Sequence, residues 1–463
     1  MIPTKVVVIG AGSASFGLNT LGSLMRSERL RGSQIALVDR NPDALANMLR
    51  LAERLNASWG AQMVLSSHLH HQDALPGAEF VVSAIEVPPR EKLWRMDYDI
   101  TLRHGVRQPY AENGGPGGFF HAARNIGPVL EIAHDMEQIC PQAVFINFSN
   151  PMVRVCDAIN RYSSIKVVGL CHQIYAGYGM VGFMLANQLG IEVPETFIST
   201  HADAKYWHSL HRISRQAAEL VDIKAAGLNH FTWMVDIRDR RTGADLYPAV
   251  REAWSKSDPA IEPLTRRVFD AFGLMPIPGD EHLCEYLPWV SDPTTKPWEK
   301  YDLSLYDWDA RAQDRDEGHK EIALMGQGLK PIDGLKQTSS EGALEVIECL
   351  AGGGNEYHLA ANVPNTGQIA NLPLGALVET PVVLSGMGVQ PVAVGSLPEG
   401  VAEVCRRELA VVKLCVDSVV GGDRQLALQA LLLDPIITDL DVARAILEEY
   451  LVTYKEYLPQ YWK

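Results

Sequence analysis

The sequence predicts an α/β fold, a doubly wound and largely parallel sheet followed by an α+β region. Three observations predict it. Short β-branched and apolar runs alternate with stretches of helical period through the first third of the chain. Those runs stop abruptly at polar residues, as buried parallel strands do at their carboxyl edge. A glycine-rich turn follows the first run and an acid closes the second. At 463 residues the chain is too long for one small core and suits two closely packed domains, read here as 1–172 and 173–463.

Bulk properties narrow the function. A net charge of −15 disfavours a nucleic-acid backbone as partner, and no basic stripe suggests a membrane surface. No segment reaches the ~18 uncharged apolar residues of a spanning helix. Met1-Ile-Pro-Thr-Lys5 runs straight into a strand, leaving no room for a secretory leader, so a cytoplasmic protein is expected. Seven scattered cysteines, without a Cys-x-x-Cys pair, predict neither a disulfide framework nor a zinc knuckle.

Lys5-Val-Val-Val-Ile-Gly-Ala-Gly-Ser-Ala-Ser-Phe-Gly17 reads as a buried strand, a tight turn and the start of a helix reaching about Arg29. Gly10 permits the turn, and Gly12 lets backbone amides approach a pyrophosphate at the positive end of the helix. Ser13, Ala14, Ser15 and Phe16 complete the candidate cofactor turn, with Ser15 where a third glycine is usual. The second strand, Gln34 to Asp39, ends in an acid suited to ribose hydroxyls, which favours NAD. Arg40 beside it is the residue type that accommodates a 2′-phosphate. Together these elements predict a Rossmann-type dinucleotide site.

Further strands are expected near Gln62 to Ser66 and over Glu79 to Ile85, the latter leading into a nicotinamide-facing loop, Glu86-Val-Pro-Pro-Arg90. Gly114-Gly-Pro-Gly-Gly118 is read as a backbone-exposing loop that opens a helix near Phe119, with Glu112 and Asn113 beside it. Ala143 to Ile146 gives way to Asn147-Phe-Ser-Asn-Pro-Met152, and Ile165 to Leu170 gives way to Cys171-His-Gln173. Two polar clusters should therefore face one crevice, because ligands of open α/β sheets bind outside the carboxyl ends of the strands.

Beyond it, helices are expected over about Gly177 to Leu189 and over His201 to Leu220, the second carrying His201, His208 and His211 on a solvated face. Asn229 and His230 form a polar turn between apolar runs. Tyr247 to Phe272 reads as helical, and Asp280, Glu281, His282 and Glu285 crowd the apolar stretch after it, a pattern that marks function. A long exposed helix over Leu305 to Met325, strands within Tyr357 to Pro373 and Leu377 to Glu379, and helices to about residue 455 complete the chain. These residues admit three chemistries. One is hydride transfer with His172 or His230 as acid-base partner, another is a thiol-dependent dehydrogenase with Cys171 as nucleophile, and the third is metal-assisted redox chemistry at Cys171 and His230.

The motifs Gly10-Ala-Gly-Ser13, Gly114-Gly-Pro-Gly-Gly118, Asn147 to Met152, Gly169-Leu-Cys-His-Gln173, Gly227-Leu-Asn-His-Phe-Thr-Trp233, Gly279-Asp-Glu-His282 and Asn362-Val-Pro-Asn-Thr-Gly367 jointly resemble glycoside hydrolase family 4, in its order and over nearly the whole chain. The resemblance implies a lactate/malate dehydrogenase-like architecture, NAD and manganese or another divalent metal as cofactors, a sugar substrate, and a homodimer or homotetramer. It implies an oxidative elimination: hydride leaves carbon 3, a base removes the acidified proton from carbon 2, the bond to the leaving oxygen breaks, water adds and the hydride returns.

Carried over to this chain, Cys171 and His230 match metal ligands, Asn150 a cofactor- and substrate-contacting amide, Asn229 and His282 substrate contacts, and Asp280 the base. His172 and Glu112 are the candidates for the acid. Gln173 and Glu281 depart from the uronate-specific pattern, so a galacto-configured, unphosphorylated α-hexoside is expected. A sugar oxidoreductase that releases a 3-keto sugar, a non-catalytic NAD-binding sensor, and an α-galacturonidase or α-glucosidase are the alternatives.

Overall fold

β1 (Lys5–Ile9), β2 (Gln34–Val38), β3 (Val64–His68), β4 (Phe80–Ser83), β5 (Val144–Asn147) and β6 (Lys166–Gly169) pair in parallel in the order β3-β2-β1-β4-β5-β6. This order reverses between β1 and β4, where a crevice opens at the carboxyl ends of the strands. In this computed structural model the described residues are 1–14, 16–108, 110, 112–193, 204–337 and 339–463, without the side chains of 204–209 and 211. Ser15 and the predicted histidine face at 201, 208 and 211 lie outside that description.

The sheet does not end at β6. β10 (Glu356–Pro364) joins it antiparallel through Asn362 opposite Gly169. β11 (Leu377–Ser385), the hairpin of β7 (Val221–Leu228) and β8 (Phe231–Asp239), and β9 (Met275–Pro276) follow, with β12 (Gly388–Pro391) on β11. The mixed α/β architecture expected from the sequence is therefore present, as one sheet of twelve strands among the described residues. The inner parallel strands β1, β2, β4 and β5 carry core residues on both faces, and β3 is an exposed edge. Leu21, Leu24 and Leu51 pack in one core cluster with Ile322, Met325, Val346 and Ile347 from far along the chain. Among the described residues no helix is long and apolar enough to cross a membrane.

Six helices position the site: α1 (Phe16–Arg26), α2 (Arg90–Arg103), α3 (Gly115–Ile139), α4 (Met152–Tyr162), α5 (Pro263–Phe272) and α6 (Gly279–Leu283). Two differ from expectation. α3 begins at Gly115, inside the segment read as a loop. Pro116 sits in the first turn, where its missing N–H costs nothing, and Gly118 is required because a Cβ there would lie 2.4 Å from the Asn113 carbonyl. The single helix expected over Tyr247 to Phe272 is two, Tyr247–Lys256 and α5. Pro259 and Pro263 explain the break, since each excludes its predecessor from helical backbone. The third strand starts at Val64 rather than Gln62, whose φ of 60° turns the chain just before it.

Candidate active site

Four chain segments meet beyond the carboxyl ends of β5 and β6. From β5 comes Asn150, from β6 Cys171, from the turn between β7 and β8 the pair Asn229 and His230, and from the segment before α3 the pair Glu112 and Asn113. His230 is held at φ 61°, a left-handed conformation that non-glycine residues adopt only where surroundings enforce it. Here Leu228 and Phe231 pair on either side of a two-residue turn, so the backbone has no alternative.

His230 is the centre of the cluster. Its Nε2 lies 3.4 Å from Cys171 Sγ and its Nδ1 lies 2.5 Å from the Asn113 amide nitrogen. Its ring stacks on that of His282, with centroids 4.0 Å apart. Glu112, only 7% exposed, accepts from Asn150 Nδ2 at 2.9 Å and from Asn113 Nδ2 at 3.1 Å. It also stands 3.4 Å from Arg90, 3.8 Å from His230 Nδ1 and 3.9 Å from His282 Nε2. The carbonyl oxygens of the Asn150 and Asn229 side chains are buried without a partner among the described residues. Such atoms are costly unless something accepted from outside satisfies them.

Glu285, fully buried, ties this cluster together. One oxygen accepts from the backbone amides of Asn113 and Gly114 at 2.7 and 2.9 Å, and the other accepts from His282 Nδ1 at 2.9 Å. His282 therefore turns Nε2 toward Glu112. Burial alone would lower its pKa, but the hydrogen bond and charge of Glu285, with Glu112 and Glu281, raise it to about 9. His230 shifts the opposite way, lowered by burial and by the charges of His282 and His172. Burial, then Glu379 and Glu341, raise the Cys171 thiol. A neutral imidazole beside a thiol is a donor pair suited to a divalent cation, whose charge would ionise the thiol. A separation of 3.4 Å suits two ligands of one ion bound at roughly 2.0–2.3 Å.

The cofactor turn fits its expected occupant. Gly10, at φ 79°, would bring a Cβ to 2.8 Å from Ala84 O, and Gly12 would bring one to 2.7 Å from Asp39. Asp39 accepts from the amides of Gly12 and Asn41, each at 2.8 Å, which fixes its carboxylate at the end of β2. Gly17 lets the helix pack closely on the turn, since a Cβ there would lie 2.3 Å from Ala11 O. Phe16 packs on Phe148, with ring centroids 5.6 Å apart. Ser13 donates its amide to Gly10 O, Ala14 stays half-buried in the turn, and Arg40 points to solvent.

Three predicted residues have further partners of their own. His172 pairs with Glu341 at 3.2 Å, which raises its pKa. Asn229 directs its amide nitrogen to the buried Glu379 at 3.0 Å. Asp280 is only 1% exposed, and both its oxygens accept from backbone amides, Leu264 N at 2.9 Å and Thr265 N at 2.6 Å. The expectation that Asp280 faces a substrate proton finds no support in that geometry. Sequence reading named Glu86 and Arg90 only as the ends of a nicotinamide-facing loop and gave neither a role of its own. Glu86 accepts from His121 and Asn125 at 2.8 and 3.1 Å, and it flanks Arg90. Despite burial, His121, Arg90 and Asn125 bring its pKa down to about 2. Its signal was available, an acid at the end of β4 followed four residues later by an arginine.

Comparison with known proteins matches residues 5–186 to Family 4 glycosyl hydrolase and residues 225–437 to the Family 4 glycosyl hydrolase C-terminal domain. An alpha-glucosidase of Erwinia rhapontici is 30% identical over 94% of both chains. An alpha-galactosidase of Bacillus subtilis is 28% identical over 99% of both. A 6-phospho-alpha-glucosidase from gut microorganisms, solved in complex with NAD and Mn2+, superposes with a TM-score of 0.79 over 99% of both chains at 21% identity.

Proposed function

This chain belongs to family 4 of the glycosyl hydrolases, and from that premise we propose that it is an NAD- and divalent-metal-dependent α-glycosidase acting on an unphosphorylated hexoside, with a galacto-configured sugar preferred. The observation that carries the reading is the Cys171–His230 pair, 3.4 Å apart at the end of β6 with Glu112 beside it. When bound, NAD supplies a hydride acceptor for carbon 3, and manganese or a similar ion supplies an electrophile for the sugar oxygens. Cys171 and His230 hold the ion, and the turn from Gly10 to Phe16, with Asp39, holds the dinucleotide.

The rest falls to the chain's own side chains. The unpartnered oxygens of Asn150 and Asn229 accept hydrogen bonds from sugar hydroxyls and so orient the ring. Glu112, beside the Cys171–His230 pair, takes the proton from carbon 2 in this reading, and Asp280 is the alternative base that the resemblance implies. His282, fixed at Nδ1 by Glu285, presents Nε2–H to the leaving oxygen. Arg90 is engaged by both Glu86 and Glu112. That leaves it poorly suited to an anionic substrate, whose buried carboxylate or phosphate needs a free cation, and this supports a neutral sugar.

The test is aglycone release from p-nitrophenyl α-galactoside by chelator-treated protein. Release is expected only when NAD and Mn2+ are both restored. C171A and H230A are expected to weaken Mn2+ binding by more than about 100-fold, beyond the ~10–100-fold typical of outer-layer partners, while NAD affinity stays unchanged. Hydrolysis that persists without Mn2+, or in either variant, contradicts the proposal.

A further inference from the structure

We infer that Glu262 and Asp280 form a reciprocal carboxylate clasp that sets the position of α6, so that both are positioning residues for the active-site groups α6 carries. The inference rests on the function proposed above only for what those groups do; the clasp itself is geometry.

α5 and α6 both start without a side-chain cap of their own. Free amides at a helix start need acceptors, and a carboxylate is the strongest available. Each helix takes its acceptor from the other. Asp280, on α6, accepts from Leu264 N and Thr265 N at the start of α5. Glu262, immediately before α5, accepts from Asp280 N at 2.6 Å. The exchange fixes two helix starts with two side chains, and both carboxylates are buried, at 3% and 1% exposure.

The backbone is shaped to allow it. Glu262 sits at φ 47°, a conformation unfavourable for a side chain of that size, and Gly279 at φ 67°. A Cβ on Gly279 would press on the Glu262 carboxylate at 3.1 Å. Strain of this kind survives only where the surroundings hold it in place, and the paired caps are what holds it.

From the clasp the path to the site is short. α6 carries His282 two residues after Asp280, and Glu285 follows just beyond its end. Glu285 grips the amides of Asn113 and Gly114, next to Glu112, and also His282 Nδ1. A shift or tilt of α6 therefore moves His282 and the segment bearing Glu112 together. Misplacement by about 1 Å is enough to cost on the order of 100-fold in rate.

Two isosteric variants, D280N and E262Q, and their double mutant test the assignment. The readouts are kcat and KM for p-nitrophenyl α-galactoside, deuterium gained at carbon 2 per turnover in heavy water, and the imidazole signals of His282 in 15N-histidine-labelled protein. A clasp predicts that both single variants lose roughly 10- to 100-fold in kcat/KM. Both should shift the His282 signals and keep one deuterium per turnover, and the double mutant should be little worse than the poorer single one, as coupled residues behave. The assignment is overturned if D280N alone loses kcat by more than about 10³-fold and abolishes deuterium uptake, within the range for removing a general base, while E262Q matches the wild type. If D280N does not fold, E262Q decides: unchanged His282 signals and unchanged kinetics overturn the clasp. Absence of glycosidase activity in the wild type would count against the proposed function, and the His282 signals would still decide on the clasp.

Discussion

His230 shows how a single residue can be committed to a site at the expense of its own backbone. It occupies a left-handed position at the tip of a hairpin, where glycine or asparagine would be easier, and in exchange its ring reaches Cys171, Asn113 and His282 at once. Glu112 is the matching anion, and the central prediction at this scale concerns it. E112Q is expected to lower kcat by about 10²–10⁴-fold, the range for a general base, with a melting temperature close to that of the wild type. A kcat within tenfold of the wild type would remove Glu112 from that role. The positions of Cys171 and Asn150 were legible in the sequence because polar residues that interrupt a buried strand sit at its open end, and that of His230 because a polar pair breaks two apolar runs. The partners of Asp280 were not, because sequence cannot distinguish a carboxylate that faces a cleft from one that accepts the amides of a helix start 15 and 16 residues upstream. Glu285 shared that ambiguity. Its role depends on the amides of Asn113 and Gly114, roughly 170 residues away, and no local pattern announces such a partner.

Helices and strands of the parallel half follow from local sequence, since the period of two or 3.6 and the strand-end polar residues are local signals. The glycine-rich start of α3 defied that reading. Its glycines serve close approach, at Gly114 against Glu285 and at Gly118 against Asn113, where a composition rule sees only flexibility. At α5 and α6 the clasp also makes a pH prediction. Burial first, and the charge of Glu262 second, push the Asp280 carboxyl up to about 7 against the lowering effect of the Leu264 and Thr265 amides. Arg266 and Cys284 also feel its charge. The folded state thus keeps a proton that the unfolded chain releases near the ordinary value of about 3.9. The stability contributed is fully present below that value and is lost as pH rises through about 7. E262Q removes the neighbouring charge, so its melting temperature relative to the wild type is expected to rise between about pH 5 and pH 8. A difference independent of pH would contradict this account.

At the scale of the molecule, β10 joins β6 to the antiparallel strands, so the sheet runs across the division at residues 172 and 173. We propose that division as a functional one, dinucleotide on one side and sugar, metal and oligomer contacts on the other, with Cys171 and His230 reaching across it. Helical residues from beyond 320 complete the core over β1 and β2, which is why sequence predicted two units and the fold joins them. Long-range pairing of that kind leaves no local trace. What the whole arrangement is for is best decided at one atom of the substrate. The protein, with NAD and Mn2+, is incubated with p-nitrophenyl α-galactoside in heavy water while product mass, aglycone release and NADH absorbance are followed together. Oxidative elimination predicts aglycone release with one deuterium at carbon 2 of the sugar and no net NADH. Aglycone release without deuterium would contradict the elimination, and NADH accumulating without cleavage would make the protein a sugar dehydrogenase instead.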